Sequence, residues 1–103
     1  MARYMFMWQC RPGTEQEYID RHKAVWPGVK AALKNAGLSN FSTFMKGNQL
    51  YGFIEADDFR KSWALFQADP ETQRWEAYMA EILITDVTTG EMEVNDNEVF
   101  RLD

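Results

Sequence analysis

One residue of this chain is equipped to give and take protons near neutral pH: His22, the sole histidine, with an unperturbed imidazole pKa of about 6.5. Tyr18 precedes it by four residues and Trp26 follows it by four, so on a helix the three side chains share one sector. Spacing alone favours a core or surface histidine with both ring nitrogens satisfied, because a lone imidazole is a weak sign of a site. The tryptophans Trp8, Trp26, Trp63 and Trp75, with Tyr18, Tyr51 and Tyr78, offer flat rings that match the C–H faces of a pyranose and polar tips that bind hydroxyls. Packing in the core is the commoner use of such residues, and most are assigned to it.

The other reactive types form no constellation. Glu15, Glu17, Asp57, Asp58 and the acidic run over 91–98 read as helix caps and solvated faces, with no spacing that singles out a glycosidase pair. Glu76, between Trp75 and Tyr78, is the one acid in an aromatic segment, and exposed helix surface is its expected place. One histidine and one cysteine at unrelated positions give no metal-ligand cluster, and Cys10 reads as a packing residue. No Gly-rich phosphate loop and no Gly-x-Ser-x-Gly element occurs.

These residues need elements to hold them. Tyr4, Phe6, Trp8 and Cys10 alternate with Met5, Met7 and Gln9, a strand with apolar character on both faces. Pro12 and Gly13 end it, and Thr14 with Glu17 has the form of a capping box opening a helix that carries Tyr18, His22, Val25, Val29, Leu33 and Ala36, with Gly37 as its stop. Pro27 inside that pattern predicts a kink or break after Trp26. A hairpin follows, with strands near 40–46 and 50–56 around Gly47 and Asn48. Asp57 or Asp58 caps a helix through Phe59, Trp63 and Phe66, and Asp69, Pro70 and Glu71 start another through Trp75, Tyr78, Met79 and Ile82. Thr88, Thr89 and Gly90 read as a turn before a last strand whose best piece is Glu98 to Leu102.

The order is β-α-β-β-α-β: an α+β, ferredoxin-like plan in which helices cover one face of an antiparallel sheet. Residues 1–103 form a single domain, with no repeat or linker. Because the helices leave the other face bare, the apolar Met5 and Met7 predict a homodimer formed sheet to sheet. A formal charge of −5 with no Lys/Arg cluster argues against nucleic acid, and no stretch is long and apolar enough to span a bilayer. A single cysteine and the absence of a signal-like start point to a reducing cytoplasmic setting.

Glu17-Tyr18-Ile19-Asp20-Arg21-His22-Lys23-Ala24-Val25-Trp26-Pro27, after Met7-Trp8-Gln9-Cys10-Arg11-Pro12-Gly13, resembles the first helix of the L-rhamnose mutarotase family, whose pattern is Tyr-x-x-Arg/Lys-His-x-x-x-Trp-Pro. The segments Gly37 to Ser42, Gln73-Arg74-Trp75 and Glu98 to Leu102 extend the likeness over nearly the whole chain. The resemblance implies a dimeric α/β barrel that interconverts the α and β anomers of a 6-deoxyhexose without a cofactor. It further implies His22 as the proton-transfer residue, with sugar contacts from Tyr18 and Trp75, and so reverses the reading of His22 from spacing; Trp26 is expected to shape the pocket wall beside them.

Two positions depart from that pattern: Phe41 stands where it has a tyrosine, and Glu76 where it has a second tryptophan. Both are expected at the substrate, and both change its polar partners, which makes L-fucose the competing sugar. Two further readings stay open: a monooxygenase on the same dimeric barrel, and a non-catalytic ligand-binding module.

Overall fold

The computed structural model of the chain describes residues 2–84 and 93–102. The elements run β1 (Ala2–Gln9), α1 (Glu15–His22), α2 (Pro27–Asn35), β2 (Ser39–Lys46), β3 (Gln49–Ala56), α3 (Phe59–Ala68), α4 (Pro70–Ala80) and β4 (Glu93–Asn95). The strands form one sheet in the order β2-β3-β1-β4, and each neighbouring pair is antiparallel. This is the ferredoxin-like arrangement expected from the element order.

Register decides which residues face the helices. Tyr4, Phe6 and Trp8 of β1 lie opposite Ile54, Gly52 and Leu50 of β3, and this set joins the buried core with Tyr18, Val29, Phe59, Phe66, Trp75 and Met79 from the helices. Met5 and Met7, opposite Phe53 and Tyr51, point the other way and are only half-buried. In the outer strand β2, an extra residue between Ser39 and Ser42 shifts the pairing, with Asn40 at φ 50°. Beyond the shift Phe41 shares the face of Thr43, opposite to that of Ser39, and its ring lies 5.6 Å from that of Phe6.

Helix boundaries follow local chemistry. Pro27 forces Trp26 into extended backbone (φ −61°, ψ 138°), so the helical pattern breaks in two as expected, although the break spans residues 23–26 and does not wait until after Trp26. Asp69 ends α3 and starts α4, its side chain accepting from the Glu71 N–H at 2.9 Å ahead of Pro70 in the first turn. Asp58 caps α3 by accepting from Lys61.

Two expectations from the sequence do not hold. No capping box forms at α1: Thr14 Oγ1 donates to the Arg11 carbonyl at 2.6 Å, closing the turn at Gly13 (φ 92°), while the Glu15 carboxylate takes the Gly13 N–H. The last strand is Glu93–Asn95, and 96–102 is not a strand. Ion pairs of Arg101 with Glu55 (3.1 Å) and Arg3 with Glu98 (3.4 Å) tie that tail down instead, with Val99, Phe100 and Leu102 left exposed. The turn read at Thr88 to Gly90 lies outside the described residues.

Candidate functional site

Between the sheet and the helices lies a cavity of about 370 Å³, within the range of about 300–1,000 Å³ usual for small-molecule sites. β1 supplies Phe6 and Trp8 to its wall, α1 supplies Tyr18 and His22, and β2 supplies Phe41 and Thr43. Val29, Lys30 and Leu33 come from α2, Trp63 and Phe66 from α3, and Trp75, Glu76 and Met79 from α4. The wall is therefore largely apolar and aromatic, with an imidazole, a phenol, a carboxyl and an ammonium set into it.

Tyr18 and His22 are one helical turn apart, and their rings stack at 4.2 Å with an interplanar angle of 18°. His22 Nδ1 lies 3.0 Å from the Tyr18 carbonyl oxygen. A carbonyl only accepts, so the bond places the proton on Nδ1 and leaves the lone pair of the neutral ring on Nε2. Burial pulls the His22 pKa below its ordinary value, against the opposing effect of the backbone bond. The imidazole is thus held as a neutral base.

Burial raises the Tyr18 pKa strongly, although the Trp8 side chain hydrogen-bonds its oxygen and works the other way. An indole N–H only donates, so the phenol accepts from Trp8 and keeps its own proton for another partner. Trp75 closes the far side of His22, edge-on at 5.6 Å.

The residues singled out in the sequence have distinct fates. Tyr18, His22, Phe41, Trp75 and Glu76 come together around the cavity. Glu76 is 7% exposed, so the expectation of a solvated helix position is wrong: α4 turns that side chain inward beside Trp75 and Met79. Trp26 does not line the cavity; it lies beyond the end of α1 and backs Trp75 from behind at 5.1 Å, edge to face. Cys10 is fully buried, as a packing residue is.

Lys30 and Thr43 line the cavity with no signal in the sequence, and so do Trp8 and Trp63, whose residue type points equally to core packing and to sugar stacking. For Trp8 and Trp63 the sequence carried a core signal, and nothing in their spacing distinguishes a core ring from a wall ring. Among the described residues the buried Trp63 Nε1 has no hydrogen-bond partner, so there the wall holds a donor without an acceptor. Among the described residues no three His, Cys, Asp or Glu side chains gather as a metal site, and no helix is long and apolar enough to cross a membrane.

Fold and site together define a ferredoxin-like α+β protein with an aromatic cavity built around one neutral imidazole, suited to proton exchange on a small ligand. The family described as L-rhamnose mutarotase matches residues 3–102. An L-rhamnose mutarotase of Opitutus terrae is 32% identical, and one of Lachnoclostridium phytofermentans 34% identical, each over the full length of both chains. The crystal structure of an L-rhamnose mutarotase from Formosa agariphila superposes with a TM-score of 0.77 at 25% identity, again covering both chains entirely. This chain belongs to the L-rhamnose mutarotase family. An antibiotic biosynthesis monooxygenase shares the fold, with a TM-score of 0.65 over 98% of this chain and all of its own, but at 10% identity the likeness extends to the fold alone.

Proposed function

We propose that this cavity interconverts the α and β anomers of L-rhamnose by acid–base ring opening, with His22 as the proton-transfer residue and no cofactor. The observation that carries the reading is the His22 imidazole itself: Nδ1 engaged by the Tyr18 carbonyl, Nε2 bearing the lone pair, and burial in an aromatic cavity keeping the ring neutral. His22 Nε2 takes the proton of the anomeric hydroxyl, the electron pair forms the aldehyde, and the bond from C1 to the ring oxygen breaks as that oxygen gains a proton. Rotation about the C1–C2 bond and closure by the reverse proton transfers give the other anomer.

Tyr18 orients the sugar and passes the second proton through water rather than surrendering its own, because its raised pKa makes the phenolate costly. Trp75 stacks on the pyranose, Phe41 forms an apolar wall, and the Glu76 carboxyl receives a hydroxyl hydrogen. Trp26 acts by supporting Trp75. The protein works as a cytoplasmic homodimer, a reading in keeping with the free, buried thiol of Cys10 and with the apolar outer face that Met5, Met7, Tyr51 and Phe53 leave half-covered.

Saturation-exchange NMR of anomeric protons across L-rhamnose, L-fucose and other hexoses tests the reading. The protein is expected to speed exchange of L-rhamnose most. Faster exchange of L-fucose would move the substrate to that sugar, in line with Phe41 and Glu76, and binding without faster exchange of any sugar would reduce the chain to a binding module.

A further inference from the structure

Arg21, the residue before His22, reaches away from the cavity and opens a chain of contacts that returns to the imidazole. The last carbonyls of a helix lack partners within it, and α4 has no basic residue in its own last turn. Arg21 brings that cation from α1. Its Nη1 donates to the Tyr78 carbonyl at 2.6 Å, and its Cζ lies 3.9 Å from the centre of the Tyr78 ring. Nε donates to Glu17 at 2.9 Å and Nη2 lies 3.6 Å from Glu81, leaving the side chain only 10% exposed.

From Tyr78 the contacts continue ring to ring. Tyr78 stacks on Trp26 at 5.5 Å, Trp26 meets Trp75 edge-on at 5.1 Å, and Trp75 meets His22 edge-on at 5.6 Å. The pair with Glu17 alone would do little, being a single-turn ion pair on one helix. What joins α1 to α4 is the bond to Tyr78, 57 residues away in sequence. A planar guanidinium can bond a carbonyl, pair with carboxylates and cover a ring at once, which a lysine ammonium cannot do.

We propose that Arg21 is a positioning residue: by capping the end of α4 and holding Tyr78 beneath its guanidinium, it fixes Trp75 against His22. The inference rests on the reading of His22 as the proton-transfer group and Trp75 as the stacking surface. A guanidinium that served stability alone would govern how much protein folds and leave the folded site unchanged.

The single histidine makes the test direct, because the imidazole ring-proton NMR signals assign themselves and the adjacent Tyr18 and Trp75 rings set their positions. In folded Arg21→Met those signals are expected to move, and kcat for anomer exchange to fall roughly ten- to a hundredfold with KM much less affected. Arg21→Lys should restore part of both. Unmoved signals with kcat within about twofold of the parent, or a loss of rate that only follows the loss of folded protein, would overturn the proposal. Should Arg21→Met fail to fold, Tyr78→Leu keeps the carbonyl and removes the ring next to Trp26; it carries the same expectation, and unmoved signals there are equally fatal. If the parent protein exchanges no sugar anomers, the mutarotase reading fails, while the ring-proton signals still decide the role of Arg21.

Discussion

His22 and Tyr18 lie ring on ring, and burial moves both away from their charged forms. The imidazole is thereby kept as a base at pH values where a solvated histidine would be half protonated. The acid limb of kcat/KM for anomer exchange is accordingly expected below pH 6.5, and a limb at or above 6.5 would contradict a buried neutral imidazole. The same shift acts on stability with a definite sign. The unfolded chain binds this proton more readily than the folded one, so the His22 contribution is intact above about pH 6.5 and is lost as pH falls through the lower folded value. At this scale the sequence was legible where residues sit in one local motif: Tyr18 and His22 are a helical turn apart, and their stacking follows from that spacing. Glu76 was legible only through the family likeness, because its burial depends on how α4 rolls against the cavity, which the types of its neighbours do not encode. Trp26 was misplaced because α1 stops at His22, and Pro27 at the start of α2 holds Trp26 in extended backbone, out of helical register with His22.

Within the elements, the β strands carry the site more exactingly than the helices do. Phe6 fills the space over Gly52, and a Cβ at position 52 would come within 2.6 Å of that ring, which is itself 1% exposed and packed against Trp8, Phe59 and Trp63. Relief requires the ring to leave its contacts with Trp8, Phe59 and Trp63 and shift into the cavity, so Gly52→Ala is expected to destabilise the fold by about 1–3 kcal/mol in chemical denaturation. An unchanged unfolding midpoint would show that the core there yields more easily than its packing suggests. The hairpin and the start of α4 were readable from Gly47-Asn48 and Asp69-Pro70, because turn and cap chemistry is local. The bulge at Asn40 was not, since it is set by pairing with β3; it takes Ser39 out of the alternation that turns Phe41 and Thr43 toward the cavity. Nor was the irregular tail: Val99, Phe100 and Leu102 have the composition of a strand, but no strand of the sheet pairs with them.

For the molecule as a whole, the two faces of the sheet divide the work. One faces the helices and the cavity; the other carries Met5, Met7, Tyr51 and Phe53, with Phe44 at 62% exposure beside them, which suits the proposed homodimer. Phe53→Glu would set a charge in the centre of that face, and sedimentation is expected to find the variant monomeric under conditions where the parent is a dimer. A parent that is itself monomeric would remove the dimer from the account. The fold class was legible from element order alone, whereas the bare face pointed to a partner without identifying it. The central claim concerns one imidazole, and anomeric exchange of L-rhamnose with His22→Ala measures it most directly. The rate should fall by about 10²- to 10⁴-fold while the protein stays folded and still binds the sugar; a folded His22→Ala protein that exchanges anomers at the parent rate would contradict it.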